Sequence, residues 1–341
     1  MEYPSLDTPK AGAFRFNTDS SQLEIYDGNQ WTGVQPFMGG NACSERGVGM
    51  GGETSSGDND TIEYITITST GNAVDFGNLT SSKRYSTGVS SQTRGVNCGG
   101  YDHPTKTNEM SYITISSTGS DVDFGDLTTA VSSSTPVSNA TRGLICGGDY
   151  PSSGETNAIQ FITIASTGNS ADFGDCVVNR QGPSGMCNSA TRGLFMGTYS
   201  TPSGYLNSIE YITTATLGNA LDFGDVAQGL SAGAQVCSST RGMVGGGEIS
   251  GNNGINVIQY VHIATTGNAI DFGDLTIDSW YFGACSGRTR GVWWGGWDAG
   301  TRYNVLQYVN LPTTGNAIDF GDLQAAMNAV TSAFSNAHGG L

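Results

Sequence analysis

Positive charge is what this chain has least of. Lys and Arg together number 14 against 30 Asp and Glu, for a formal net charge of −16 at pH 7. Nucleic-acid binding needs a basic footprint to displace counterions, and none is visible. Histidine is scarcer still: His103, His262 and His338 are the only three, at unrelated places along the chain. No Ser-His-Asp grouping can be assembled from their spacing, so a non-enzymatic protein is expected. No apolar run approaches the roughly 20 residues that span a bilayer, so no membrane insertion is expected. The start, Met-Glu-Tyr-Pro-Ser, lacks the charged-then-apolar pattern of a secretory signal. The seven cysteines form no CxxC pair. Cys98 and Cys146 sit at equivalent places in apolar strands, and Cys187, Cys237 and Cys285 lie a few residues before an Arg-Gly pair. They are expected to be small buried hydrophobes made in a reducing cytoplasm, with no cofactor implied.

Glycine is in excess, at 51 of 341 residues, about twice its usual share of roughly 7%. Ser and Thr are abundant and good helix formers are few, a composition that reads as all-β with many tight turns. A phrase close to Gly-Asn-Ala-x-Asp-Phe-Gly-Asp-Leu recurs six times. Its first Asp falls at Asp75, Asp123, Asp172, Asp222, Asp271 and Asp319, at intervals of 48, 49, 50, 49 and 48 residues. An Arg-Gly pair keeps the same beat, with Arg46, Arg94, Arg142, Arg192, Arg241 and Arg290. A constant period of this length signals a repeat architecture.

The third copy shows the unit. Residues 132–139 read as a polar strand, 140–143 as a tight turn and 143–146 as a short apolar strand ending in Gly147-Gly148. A variable loop follows at 149–157, then a β-branched and aromatic strand at 159–164, a turn at 166–169 and an outer strand from Ala171, bent by Gly174. Four antiparallel strands per repeat make a propeller blade. The expectation is a six-bladed, all-β propeller over residues 35–341, preceded by a small β-meander over residues 1–34. Two segments compete for the innermost strand that closes the ring, 37–43 and 331–338. The C-terminal one is favoured, which makes the other a connector. The Gly-Gly after the second strand and the Tyr or Phe in the third resemble the kelch repeat family over about residues 37–323. Phe of Asp-Phe-Gly stands where kelch repeats carry Trp. That resemblance implies a propeller and no particular activity.

Asp-Phe-Gly is also a protein-kinase signature, but the catalytic His-Arg-Asp loop and the phosphate loop with its Lys are missing. The Phe is expected in the core between blades. The first Asp of each copy is expected to accept turn amides or to pair with an Arg-Gly arginine. One Asp and one Arg per blade would then form a ring of structural ion pairs. A second carboxylate follows at Asp126, Asp175, Asp225, Asp274 and Asp322, with Asn78 in the first copy. Asp-x-x-Asp lacks the alternating ligand spacing of a dedicated calcium loop, so no metal is expected.

In an up-and-down propeller the first-to-second and third-to-fourth turns share one face, and here they are nearly uniform. The second-to-third loops, 53–60, 101–108, 149–157, 198–207, 248–256 and 297–304, lie on the other face and differ in every copy. Positions that vary are free to carry recognition. The candidate receptor residues are the exposed-type aromatics there: Tyr101, His103, Tyr150, Tyr199, Tyr205, Trp297 and Tyr303. Aromatic faces stack on sugar rings and also anchor protein interfaces. Trp293 and Trp294 alternate along one strand, so one of them is expected in the core. His262 is expected to be a satisfied strand histidine.

Residues 11–34 lie outside the repeat. Phe14 and Phe16 alternate on one strand, Leu23, Ile25 and Trp31 on the next two, and Asp19-Ser-Ser and Asp27-Gly-Asn read as turns. The wording RFNTDSSQLEIYDGNQW resembles a short segment of bacteriophage tail fibres and other virion proteins. The Gly-Asn-Ala-x-Asp-Phe-Gly-Asp repeats look like those of tail-associated proteins of marine and cyanobacterial phages. The resemblance implies a virion tail component made in the host cytoplasm. Its N-terminal segment would attach to other tail or baseplate proteins. Its propeller would bind a host-surface glycan or protein, and it would assemble as a homo-oligomer such as a trimer. Two competitors stand beside this: a structural adaptor or decoration protein that docks other viral subunits, and a propeller enzyme that degrades polysaccharide.

Overall fold

A computed structural model describes residues 10–17, 22–26, 28, 31–33, 45–151, 154–182, 184–251, 253–330 and 332–341. All regular elements among the described residues are strands. The chain divides into two units, Met1–Cys43 and Ser44–Leu341. The expected connector at 37–43 lies outside the described residues.

In the first unit Phe14–Asn17, Gln22–Tyr26 and Trp31–Gly33 pair antiparallel in chain order, the meander that the sequence predicts. Arg15 donates to Glu24 at 2.7 Å and lies over the Trp31 ring at 4.4 Å. Side chains alternate across a strand, so Phe14 and Phe16 take the opposite face, where each is 63% exposed.

The second unit is a six-bladed β-propeller. Its first blade draws on both ends of the unit: Ser332–Ser335 pairs with Arg46–Thr54, followed outward by Gly57–Thr66 and Val74–Asn78. Phe334 faces Val48 in that register, so the C-terminal segment closes the ring. Four further blades run in chain order from inner to outer strand. They are Thr87–Ser90 to Val122–Asp126, Thr135–Ser138 to Ala171–Arg180, Ala234–Cys237 to Ile270–Asp274 and Gly283–Ser286 to Ile318–Asp322. The fourth blade has three regular strands, Arg192–Ser200, Gly204–Thr213 and Leu221–Asp225. Among the described residues its inner edge shows isolated bridges, Gln181 with Tyr199 and Asn188 with Gly193, while Ser184 bridges Ala234 of the next blade. In the third blade the second strand runs from Arg142 to Tyr150, well past the expected end, because a bulge between Cys146 and Gly148 absorbs the glycine pair.

Six apolar clusters fill the six blade-to-blade interfaces. Phe124 packs with Ile162 and Ile164 of the next blade, and Phe320 closes the circle against Ile65, Ile67 and Ala73. The Phe of each Asp-Phe-Gly is 2% exposed in all six copies, worth about 2–3 kcal/mol of burial apiece. A bulge at that Phe in every outer strand lets the ring turn inward while the Asp before it stays in water. The following Gly is fixed by a close approach. Gly273 has φ +147, and a Cβ there would stand 2.5 Å from the Gly315 carbonyl oxygen of the next blade.

Trp293 and Trp294 are both fully buried, one in the cluster before their blade and one in the cluster after it. The expectation of a single core tryptophan fails because a blade inside a ring is covered on both faces, so alternation no longer separates core from solvent.

Candidate functional site

The two faces do different work, beginning with the uniform one. Each repeat arginine is half-buried and reaches across the seam to the next blade. Arg46 Nη1 donates to the Ile115 carbonyl at 2.8 Å, Arg94 to Ile164 at 3.0 Å and Arg290 to Ile67 at 3.1 Å. Arg142, Arg192 and Arg241 each clasp two successive carbonyls: Thr214 and Ala215, Ile263 and Ala264, Leu311 and Pro312. Every guanidinium also lies over the aromatic ring of its own third strand, from 4.2 Å at Tyr64 and Tyr112 to 5.3 Å at Phe161. That ring in turn meets the Asp-Phe-Gly phenylalanine edge to face, 5.7 to 6.1 Å away.

The expected ring of Arg–Asp ion pairs is therefore corrected. Asp75, Asp123, Asp172, Asp222, Asp271 and Asp319 are exposed. Among the described residues the repeat arginines bond main-chain oxygen instead. The bulge turns the Asp outward, and the next blade's third strand ends with carbonyls that need a donor.

A second rivet escaped sequence reasoning. Glu63, Gln160, Glu210, Gln259 and Gln307 occupy one buried position of the third strand. Their side-chain oxygens accept main-chain N–H groups of the preceding blade, at Gln324, Thr128, Val177, Ala227 and Thr276, at 2.7 to 2.9 Å. The second blade has Ser111 there, too short to reach, and Asp121 takes the Thr80 N–H instead at 2.8 Å. The recurring Glu or Gln before the third-strand aromatic was the available signal.

On the variable face the second-to-third hairpins are tied inward. Six antiparallel bridges join a hairpin stem to the segment entering an inner strand: Glu53 with Asn328, Tyr101 with Arg84, Asp149 with Ser132, Tyr199 with Gln181, Glu248 with Ser231 and Trp297 with Trp280. The next residue inward takes a left-handed conformation in five of these places: Tyr85, Ser133, Ala232, Tyr281 and Ala329, with φ between 51 and 57°. Main-chain bonds link these residues round the axis. Ser133 N–H donates to Tyr85, Tyr85 to Ala329, Ala329 to Tyr281 and Tyr281 to Ala232. Non-glycine residues cost roughly 1–3 kcal/mol each in such a conformation and cluster where function demands them. Tyr85 and Tyr281 meet edge to face, 5.2 Å apart, beside a cavity of about 10 Å³ that Ser133, Ser134 and Ser184 also line, at the lower limit for one water.

The predicted receptor aromatics sit lower in this surface than expected. Only His103 is exposed, and the other six are half-buried because neighbouring side chains lean on them. Tyr101 lies 5.0 Å from the Arg84 guanidinium and 5.9 Å from His103. Tyr150 packs against the core between the second and third blades. Tyr199 faces Tyr205 across its hairpin with ring centroids 5.3 Å apart. Trp297 meets Trp280 at 4.7 Å, and Trp280 meets Tyr281 at 4.6 Å. Tyr303 joins its hairpin to Gly296 through its N–H. The structure thus brings Tyr101, Tyr199 and Trp297 to equivalent places round the axis and leaves His103, Tyr150, Tyr205 and Tyr303 farther along the hairpins. It adds Trp280, Tyr281 and Tyr85, which the sequence did not single out. His262 ends its strand exposed, 5.7 Å from the Tyr260 ring.

Charge on this face is largely internally paired. Glu53 bonds Arg84 and stands 3.2 Å from Arg302, Asp58 stands 3.4 Å from Arg84, and Lys106 meets Asp149 at 2.6 Å. Glu248 instead lies beside the Tyr205 phenol with no cation among these pairs. Burial raises the Glu248 carboxyl above its usual range, and burial with the Glu248 carboxylate beside it pushes the Tyr205 phenol up to about 12.

At the opposite end the axis is stoppered by residues 337–340. His338 is buried with Nε2 3.1 Å from the Ser90 carbonyl, and its Nδ1 accepts from the Gly340 N–H at 3.2 Å and the Asn188 amide at 3.1 Å. That network fits a neutral ring protonated on Nε2, and burial lowers its pKa to about 4. The six described cysteines are all free and buried, as expected, and desolvation raises every one of these thiols. No protein-family model matches the chain, and no curated protein matches it.

Proposed function

We propose that this protein is a non-catalytic recognition module, a phage tail fibre or tail-associated virion protein whose propeller grips a host-surface receptor with its variable face. The observation that carries the binding role is the division of labour between faces. One face repeats the same arginine clamp at every seam, whereas the other mounts six unlike hairpins round the axis, with aromatic side chains at three of their stems. The virion setting is supported by the resemblance of residues 11–34 and of the repeats to tail proteins. A structural adaptor is the second reading, favoured by the outer strands. Val74, Val122, Leu221, Ile270 and Ile318, at one repeat position, are each 50 to 56% exposed, an aliphatic belt that a viral neighbour would cover.

The test is saturable binding of the purified full chain to intact bacterial cells, compared between a Tyr205→Ala, Trp297→Ala variant and a Val122→Asp, Ile270→Asp variant. Loss in the first alone supports receptor binding through the variable face. Absence of cell binding, with the full chain assembling onto fibreless tails and the second variant failing to do so, favours the adaptor.

A further inference from the structure

Counted round the axis from the first blade, the six hairpin-stem residues are Glu53, Tyr101, Asp149, Tyr199, Glu248 and Trp297. Carboxylate and aromatic alternate without exception, although this is the face on which the repeats otherwise diverge. A scaffold requirement would have repeated one residue type, as the clamp arginine does. All six stems are held by two-way main-chain bonds to the segments that enter the inner strands, so their spacing is preset.

We propose that this rosette is a saccharide-binding site that takes a short, uncharged, hydroxyl-rich glycan across the propeller axis. The inference rests on the variable face being the recognition face and adds the ligand class and its place. Ring faces such as Trp297 and Tyr199 offer flat apolar area to the C–H side of a pyranose, and their rigidity keeps the entropic cost of binding low. Carboxylates between them accept hydroxyl hydrogens at fixed positions.

The charges argue against the two other ligands an acid–aromatic ring suggests. A cationic ligand would need a vacant aromatic cage, but Arg84 already lies over both Tyr85 and Tyr101, at 5.5 and 5.0 Å. Glu53 and Asp149 are already matched by Arg84, Arg302 and Lys106. A polyanionic glycan would meet a chain of net charge −16. The axial cavity is too small to admit a sugar, so the ligand lies over the rosette. Glu248 is the stem carboxylate without a matching cation among these pairs.

The experiment presents the full chain to an immobilised panel of short neutral, amino and anionic oligosaccharides, with tryptophan emission following a titration of the neutral ones. Expected is binding to neutral glycans with a shift in emission from Trp280 and Trp297. Trp297→Ala, and separately Glu248→Gln, should weaken it at least tenfold, while Asp271→Ala, at an exposed outer-strand carboxylate, leaves it within a few-fold. Unchanged urea midpoints establish that the variants are folded, and Trp297→Phe should restore part of the affinity. Neutral-glycan binding lost on Tyr150→Ala or His103→Ala but not on the stem variants would overturn the rosette and leave the variable face standing. Binding only to amino or anionic sugars, or to cell-surface protein with no glycan bound, would overturn the ligand class.

Discussion

Replacing Arg241 with alanine should weaken the seam between the fifth and sixth blades by about 2–4 kcal/mol. Its Nη1 bonds the Leu311 carbonyl at 3.1 Å and the Pro312 carbonyl at 2.9 Å, and its guanidinium lies 4.9 Å from the Tyr260 ring centroid. The bond to buried Leu311 is charge-assisted and contributes about 1.5–3 kcal/mol. The stacking adds about 0.5–1 kcal/mol at a partly exposed site. Pro312 is exposed, and water replaces the arginine there at little cost. Four of the five tryptophans, Trp280, Trp293, Trp294 and Trp297, lie in the sixth blade, so urea unfolding followed by tryptophan emission reports this seam directly. Arg241→Lys should recover about half of the loss, because it keeps the charge and one bond but not the planar stack. Asp271→Ala, at the exposed carboxylate of the same blade, should stay within about 0.5 kcal/mol. Equal losses for Arg241→Ala and Asp271→Ala would refute the clamp and restore the ion-pair ring.

Other expectations follow from the same geometry. Gly273→Ala and Gly267→Ala both force a side chain onto a strained φ, but only the first meets a carbonyl oxygen, since nothing lies within 4 Å of a Cβ at Gly267. Gly273→Ala should therefore be the more destabilising by a further ~1–3 kcal/mol in chemical unfolding. His338 has a folded pKa of about 4 against 6.5 for the free side chain. Its contribution to stability is whole above pH 6.5 and fades as the pH falls towards 4, by up to about 3 kcal/mol. Glu63 and Glu248, raised by burial, act with the opposite sign, so the comparison to make is wild type minus His338→Gln across that window. A difference that does not vary with pH would refute the neutral buried ring. In a Cys43→Ser background a thiol reagent should find no reactive cysteine in the folded chain and all six remaining ones in denaturant, because burial pushes Cys176 and Cys285 up to about 12 and the others upward too. Prompt reaction of even one folded thiol would contradict the packing.

The sequence by itself determined the repeat, the number of blades and the inward phenylalanine. Each is a one-dimensional pattern: a side chain that must be buried in every blade returns at the blade period. It also determined that one face is uniform and the other variable. Partners chosen across a seam were decided only in three dimensions. Arg241 bonds a carbonyl 70 residues away, and nothing in its neighbours distinguishes that oxygen from the nearby carboxylate of Asp271. The bulge at Phe272, which turns Asp271 outward, exists only once the outer strand has paired. Trp293 and Trp294 illustrate the same limit, since a blade with core on both sides erases the contrast that alternation depends on. The axial ring is likewise tertiary. Tyr85, Ser133, Ala232, Tyr281 and Ala329 share no residue type, and their common left-handed backbone follows from where the ring places them. The alternating rosette could be read only after the stems were known to stand side by side, because six residues about a period apart become neighbours only when the circle closes.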